Sequence, residues 1–154
     1  MAVQSANRLV DHSALRVNQA FIIGVLILAF VLGSSLLVVF VAAVMLVGTA
    51  WPKLSLFQAI YRRVLKPANL VKSHVITDNP EPHRFAQGFG GTVLALSVGA
   101  LVVGQAVFGW ALVWLVVALA ALNLFAGFCA GCFVYYQLNR LGVPGFRFSP
   151  IREG

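Results

Sequence analysis

Two stretches of this chain, from about Gln19 to Ala50 and from about Gly88 to Leu138, contain no charged residue. As straight helices at about 1.5 Å per residue they would reach ~48 Å and ~76 Å, against a hydrocarbon core of about 30 Å. Neither fits a bilayer as one span, so each must fold back on itself. The fold-back points are glycine-bearing and polar: "LGSS", Leu32 to Ser35, and "VGQAVFGW", Val103 to Trp110. Four transmembrane helices result, near 18–33, 35–51, 87–106 and 110–137, paired as two hairpins. The expected class is an all-α membrane protein, a single membrane domain over 1–154, with a cytoplasmic loop at 52–86.

Composition agrees with this. The chain is 60% hydrophobic and only 10% charged, whereas a soluble domain carries about a quarter charged residues. Its net charge of +7 comes from residues that flank the apolar runs. That pattern argues for the lipid bilayer as partner and against nucleic acid, which needs a basic soluble face. With four spans, Arg8, Arg16, Lys53, Arg62, Arg63, Lys66, Lys72, Arg84, Arg140, Arg147 and Arg152 all lie on one side. The positive-inside rule makes that side cytoplasmic, with both termini there. The first apolar run is too long for a signal-peptide core, so the N-terminus is expected to be retained.

The halves resemble each other. "RVNQAF" (16–21) and "RFAQGF" (84–89) share Arg, Gln and Phe at equal spacing, and each opens a hairpin. "WPKLSLFQAIYRRVLKP" (51–67) aligns with "FCAGCFVYYQLNRLGVP" (128–144), matching Arg63 to Arg140 and Pro67 to Pro144. This suggests a parallel repeat about an axis along the membrane normal. The competing reading is that basic and aromatic residues recur at any membrane interface. Within the loop, Leu54, Phe57, Ile60, Tyr61, Val64 and Leu65 share one helical face, as in a short amphipathic helix on the cytoplasmic leaflet. "DNPEPH" (78–83) reads as an extended entry into the third span.

The only cysteines, Cys129 and Cys132, are three apart. On a helix that spacing puts both on one face, within reach of a bridge. A cytoplasmic location disfavours a permanent structural disulfide. A reversible redox or sulfur-handling pair is therefore one reading, with Cys132, nearer the water, attacking and Cys129 resolving. On a continuous fourth span the pair would sit toward the helix C-terminus, where the dipole and apolar surroundings oppose a thiolate. Activation would need a cation such as Arg62, Arg63 or Arg140, or a helix break at Gly127 or Gly131. A second reading is packing: Gly127 and Gly131 form a small-xxx-small pattern, and cysteine can fill the contact. A third is a zinc site shared with His12, His74 or His83, whose spacing matches no standard motif.

Other polar residues have plainer roles. Arg16 and Arg84 are expected to snorkel to headgroups. Gln19 and Gln87 are placed to hydrogen-bond between halves. Asn123 is the most buried-looking polar residue and is expected to bridge helices. Gly88, Gly90 and Gly91 allow close helix packing, and Trp51, Trp110 and Trp114 fall near the interfaces.

"VDHSALRVNQAF", "EPHRFAQGFGG" and "LNLFAGFCAGCFVYYQL" resemble the bacterial membrane family catalogued as domain of unknown function 4395. The resemblance runs from about Asp11 to Leu141, and its most specific element is Gly-Phe-Cys-x-x-Cys at Gly127 to Cys132. It implies a bacterial inner-membrane location and draws attention to Cys129 and Cys132 without supplying a reaction. Two functions are carried forward. One is thiol or sulfur handling through a cytoplasmic-side dithiol, as in four-span thiol oxidoreductases. The other is a non-catalytic subunit of a larger photosynthetic or respiratory membrane complex, bound to other membrane-protein subunits. A small transporter comes third, because no polar substrate cluster is visible.

Overall fold

The structure is a computed structural model that describes residues 9–51, 59–65, 67–68, 75–77 and 80–145. Five α-helices are present among them: α1 (His12–Val31), α2 (Ser35–Ala50), α3 (Pro80–Val102), α4 (Ala106–Ala121) and α5 (Ala130–Arg140). Two π-helical turns, Tyr61–Leu65 and Leu122–Ala126, accompany them, and the second prolongs α4. His12–Val31, Glu81–Val102 and Ala106–Ala126 are each long and apolar enough to cross a membrane, and Ser35–Ala50 is apolar but shorter.

Both hairpins turn the same way. Gly33 and Gly104 adopt left-handed backbone, at φ 61° and 88°. In the first turn the Gly33 N–H donates to Phe30 O and the Ser34 N–H to Ala29 O. In the second, Gly104 donates to Leu101 O and Gln105 to Ala100 O. This is the Schellman motif twice over, and it pairs the last helix carbonyls without water. Leu32–Ser34 and Val103–Gln105 fall inside the two marked fold-back points.

The buried faces repeat as well. Ile22, Leu26 and Ala29 of α1 recur 68 residues on as buried Gly90, Leu94 and Ser97 of α3. Val38, Val41, Ala42 and Met45 of α2 recur 75 residues on as Val113, Val116, Val117 and Ala120 of α4. The first spacing is the one that relates Arg16 to Arg84 in the sequence. The helices close a ring in which α1 packs on α2, α2 on α3, α3 on α4, and α4 back on α1.

The α2–α3 seam is the most extensive. A Cβ on Gly88 would meet Thr49 Cγ2 at 2.9 Å, and one on Gly91 would meet Leu46 Cδ2 at 3.0 Å. Helices in lipid gain little from hydrophobicity toward one another, so such close approach supplies the attraction through dispersion. Polar ties reinforce it. Arg84 Nη2 donates to Thr49 O at 2.7 Å, satisfying a carbonyl in the last turn of α2, where a cation also suits the helix dipole. Gln87 Nε2 donates to Met45 O at 3.3 Å, so one of the two glutamines does bond across the halves. Ser97 Oγ donates to Gly109 O at 2.8 Å within the second hairpin. The outer faces remain apolar: Leu36, Val102, Val103 and Val107 are each at least 79% exposed. Large exposed side chains of this kind suit hydrocarbon rather than water.

Three expectations need correction, and a fourth is tested only in part. A short antiparallel ribbon, β1 (Leu9–Asp11) with β2 (Val75–Thr77), ties together the segments before α1 and α3, with Val10 opposite Ile76. The third helix starts at Pro80, not near 87, so Pro80 to His83 are helical. Proline is tolerated there because first-turn N–H groups have no helical acceptor. The helix expected over 110–137 is interrupted: Gly127 is left-handed, Cys129 is extended, and α5 starts afresh at Ala130. The expected loop helix falls partly on 52–58, outside the described residues. Its described end is the π-helical turn Tyr61–Leu65, preceded by Ile60, which packs on the core.

α5 runs antiparallel to the first turns of α3, with Gly131 against Ala86 and Tyr135 against Glu81. A Cβ on Gly131 would overlap Ala86, reaching its Cα at 2.6 Å, so only glycine lets the two backbones meet. Further along, Phe85 and Tyr135 meet edge to face at 5.7 Å.

Two outcomes are expected in detergent-solubilised protein. Gly33→Ala should lower unfolding stability by about 1 kcal/mol, because an L-residue is strained in the left-handed region. Gly131→Ala should cost about 1–3 kcal/mol through overpacking against a backbone, and thermal unfolding will read both.

Candidate functional site

The break after the π-helical turn creates the site. Gly127 ends the helical run at φ 66°, and Cys129 becomes the N-cap of α5 with φ −92° and ψ 101°. The Cys132 N–H donates to Cys129 Sγ at 3.2 Å, and the Phe133 N–H donates to Cys129 O at 3.0 Å. The dithiol therefore sits on the first turn of a helix. The sequence had placed it toward the C-terminal part of the fourth span. The sign of the dipole argument reverses with it. Free N–H groups and the positive helix end now favour a thiolate. π-helical insertions recur beside functional sites, and this one sits immediately before the cysteines.

Cys129 and Cys132 are joined in a disulfide with Cα atoms 5.1 Å apart. Their burial is the reverse of the expected order: Cys132 is 7% exposed, and Cys129 is half-buried. Cys132 and Tyr135 form the face of α5 that α3 covers, which removes Cys132 from solvent.

α3 supplies the remaining groups. His83 Nδ1 lies 3.5 Å from Cys132 Sγ. One donor atom each from His83, Cys129 and Cys132 fall within 4.8 Å of one another. Tyr135 Oη donates to Glu81 Oε2 at 3.4 Å, anchoring the same stretch of α3 to α5. The His12 ring, at the start of α1, meets the His83 ring edge to face at 5.9 Å. Of the three histidines considered from sequence, His83 is brought to the thiols, His12 stands behind it, and His74 lies outside the described residues. Arg62 and Arg63 are exposed on their π-helical turn, and Arg140 closes the far end of α5.

Inside the bundle, Cys129 borders a cavity of about 100 Å³ lined also by Gln19, Met45, Gln87, Val116 and Asn123. Asn123 is only half-buried and faces this cavity, so it is not the most buried polar residue expected from sequence. Asn18 and Ser97 take that place, at 2% and 0% exposed. Asn18 Oδ1 has no hydrogen-bond partner among the described residues.

The arrangement can do sulfur chemistry. Cys129, the less buried of the two, lies at a helix N-terminus, and Cys132 is buried against an imidazole. Sequence reasoning missed the Glu81–Tyr135 tie and the placing of His83, since both depend on α5 folding back over α3.

No curated protein and no solved structure matches the chain. A family model, described as a domain of unknown function (DUF4395), matches residues 10–140, which include both hairpins, the break at Gly127 and the dithiol. The chain therefore belongs to the DUF4395 family.

Proposed function

We propose that this protein is a four-span module of the bacterial inner membrane that exchanges thiols and disulfides at its cytoplasmic boundary. The observation that carries the reading is the placement of the Cys129–Cys132 disulfide on the first turn of α5, with His83 Nδ1 at 3.5 Å. The orientation rests on charge. Among the described residues, Arg16, Arg62, Arg63, Arg84 and Arg140 lie toward the ends opposite the Gly33 and Gly104 turns, and neither turn carries a charge. Ser35–Ala50, the second helix, completes the four spans and is at the short end for crossing. The two hairpins form a parallel repeat about an axis along the membrane normal.

In the reaction, a thiolate of a cytoplasmic-face dithiol partner attacks Cys129 Sγ, the more exposed sulfur. The Cys129–Cys132 bond breaks, and Cys132 leaves as a thiolate beside His83, which can donate the proton it needs. The partner's second thiolate then displaces Cys129 from the mixed disulfide. Two electrons have moved to the module and the partner carries the disulfide, while the protons the partner's thiols lost to water return to Cys129 and Cys132 from water, the latter by way of His83. Run backwards, the same steps oxidise the module's dithiol. A cytosolic disulfide of this kind is transient by nature.

An accessory role in a larger membrane assembly is the second reading, supported by the uncharged outer faces of the four helices. It differs in one outcome, namely recovery of stoichiometric subunits with Cys132→Ser leaving function intact.

Alkylation of intact cells with and without prior reductant should show Cys129 and Cys132 partly protected as a disulfide. Protection that never changes with cellular redox state would reject exchange. Cys132→Ala should leave Cys129 to trap the partner as a mixed disulfide on a non-reducing gel, and Cys129→Ala should trap far less. The reverse ranking would overturn the assignment of Cys129 as the attacked sulfur.

A further inference from the structure

We infer that the reduced site binds a single borderline-soft d10 cation, of which Zn²⁺ is the probe, through Cys129 Sγ, Cys132 Sγ and His83 Nδ1. The inference rests on the proposed opening of the disulfide but on no exchange partner.

The geometry points to it in three ways. First, a tetrahedral zinc ion with Zn–S of about 2.3 Å and Zn–N of about 2.0–2.1 Å places sulfur and nitrogen about 3.5 Å apart. Cys132 Sγ and His83 Nδ1 are 3.5 Å apart, from residues 49 positions distant in the chain. That edge of the tetrahedron is already formed. Second, all three donor atoms lie within 4.8 Å of one another, and no carboxylate belongs to the cluster. Two thiolates and an imidazole select zinc-like cations over magnesium or calcium. Third, the surroundings hold the donors in place. The Cys132 N–H already donates to Cys129 Sγ, an outer contact that stabilises metal-bound thiolate. Gly131 against Ala86 and Tyr135 against Glu81 fix α5 on α3, so the position of His83 is set by helix packing rather than by a mobile loop.

The disulfide and the metal exclude each other. Two thiolates on one zinc ion stand about 3.8 Å apart, beyond any sulfur–sulfur bond. Reduction by a dithiol, or by a phosphine in the test tube, adds two electrons and two protons to the disulfide. Zn²⁺ then displaces the two thiol protons and takes the unprotonated Nδ1 of His83. Three protein ligands leave a fourth position for water or an exogenous thiolate. The site is thus a redox-gated metal site: the oxidised form holds no cation there, and the loaded form resists oxidation.

The test uses the full chain in detergent micelles, reduced with a phosphine and titrated with Co²⁺ and then Zn²⁺. One equivalent of Co²⁺ should produce a thiolate-to-cobalt charge-transfer band, which Zn²⁺ abolishes. The oxidised protein should produce none. His83→Ala should weaken Zn²⁺ binding at least about tenfold, a conservative figure because losing an outer contact alone costs that much. Cys129→Ser, in which α5 keeps its N-cap oxygen, should remove one thiolate and reduce the band. A reduced wild-type chain with no such band, or His83→Ala binding as tightly as wild type, overturns the proposal. The two readings fail separately. If the cysteines never pair in cells, exchange falls while the titration of the purified dithiol stands. If they do cycle and no band forms, the metal site falls alone.

Discussion

In hydrocarbon, a backbone N–H or C=O without a partner costs several kcal/mol, so a chain may leave the helical ladder only where something else pairs its polar groups. The helix interruptions among the described spans follow that constraint. At Gly33 and Gly104 the Schellman bonds recapture the freed carbonyls within the turn itself. At Gly127 to Cys129 the ladder is interrupted and then restarted, and Cys129 closes the gap with its sulfur and its carbonyl. The dithiol is therefore part of the device that lets the chain stop and resume a helix, which binds its chemistry to its architecture.

The same constraint explains why so little polar chemistry decorates the bundle. The α2–α3 seam relies on glycine and small side chains, with Arg84 and Gln87 spent on carbonyls of α2. Repeating the buried face of α1 and α2 in α3 and α4 lets one packing solution serve twice. The exception is the end of the bundle where α5 lies. There His83 and Glu81 of α3 meet Cys132 and Tyr135 of α5, with Cys129 at the α5 N-cap. Arginine near a helix C-terminus also places its charge where the local dipole suits it.

Much of the hairpin architecture is legible in the sequence, because a charge-free run too long for one crossing must turn, and glycine with polar neighbours marks where. The start of α3 is not legible in that way. Pro80 and Pro82 read as extended chain, and only the helix that follows shows that they occupy its first turn. The interruption after Ala126 is harder still. Hydropathy continues unbroken to Leu138, and Gly127 looks like one more small residue in a packing motif. The burial order of the cysteines was misread for the same reason. Counting along a continuous helix puts Cys132 nearer the water, whereas the refolded α5 turns Cys132 and Tyr135 onto α3. His83 could be named from sequence as a candidate, but its distance to Cys132 depends on contacts 49 residues apart in the chain.

The two hairpins differ in reach. From Ala29 to Val38 the chain advances nine residues around its turn, and from Ser97 to Val113 it advances sixteen. The second hairpin thus stands about one helical turn, ~5 Å, taller than the first at the tip. In the proposed four-span arrangement, with the other ends tied level by the β-ribbon, a bilayer meets a stepped object. Lipid tails beside α2 must shorten or splay, and those beside α3 and α4 must stretch, each at a cost of fractions of a kcal/mol per ångström. The elastic energy is relieved if the molecule leans toward its short side or gathers with neighbours there. Membrane thickness itself thereby becomes a variable that sets how this protein stands and how far its sulfur pair rises from the lipid.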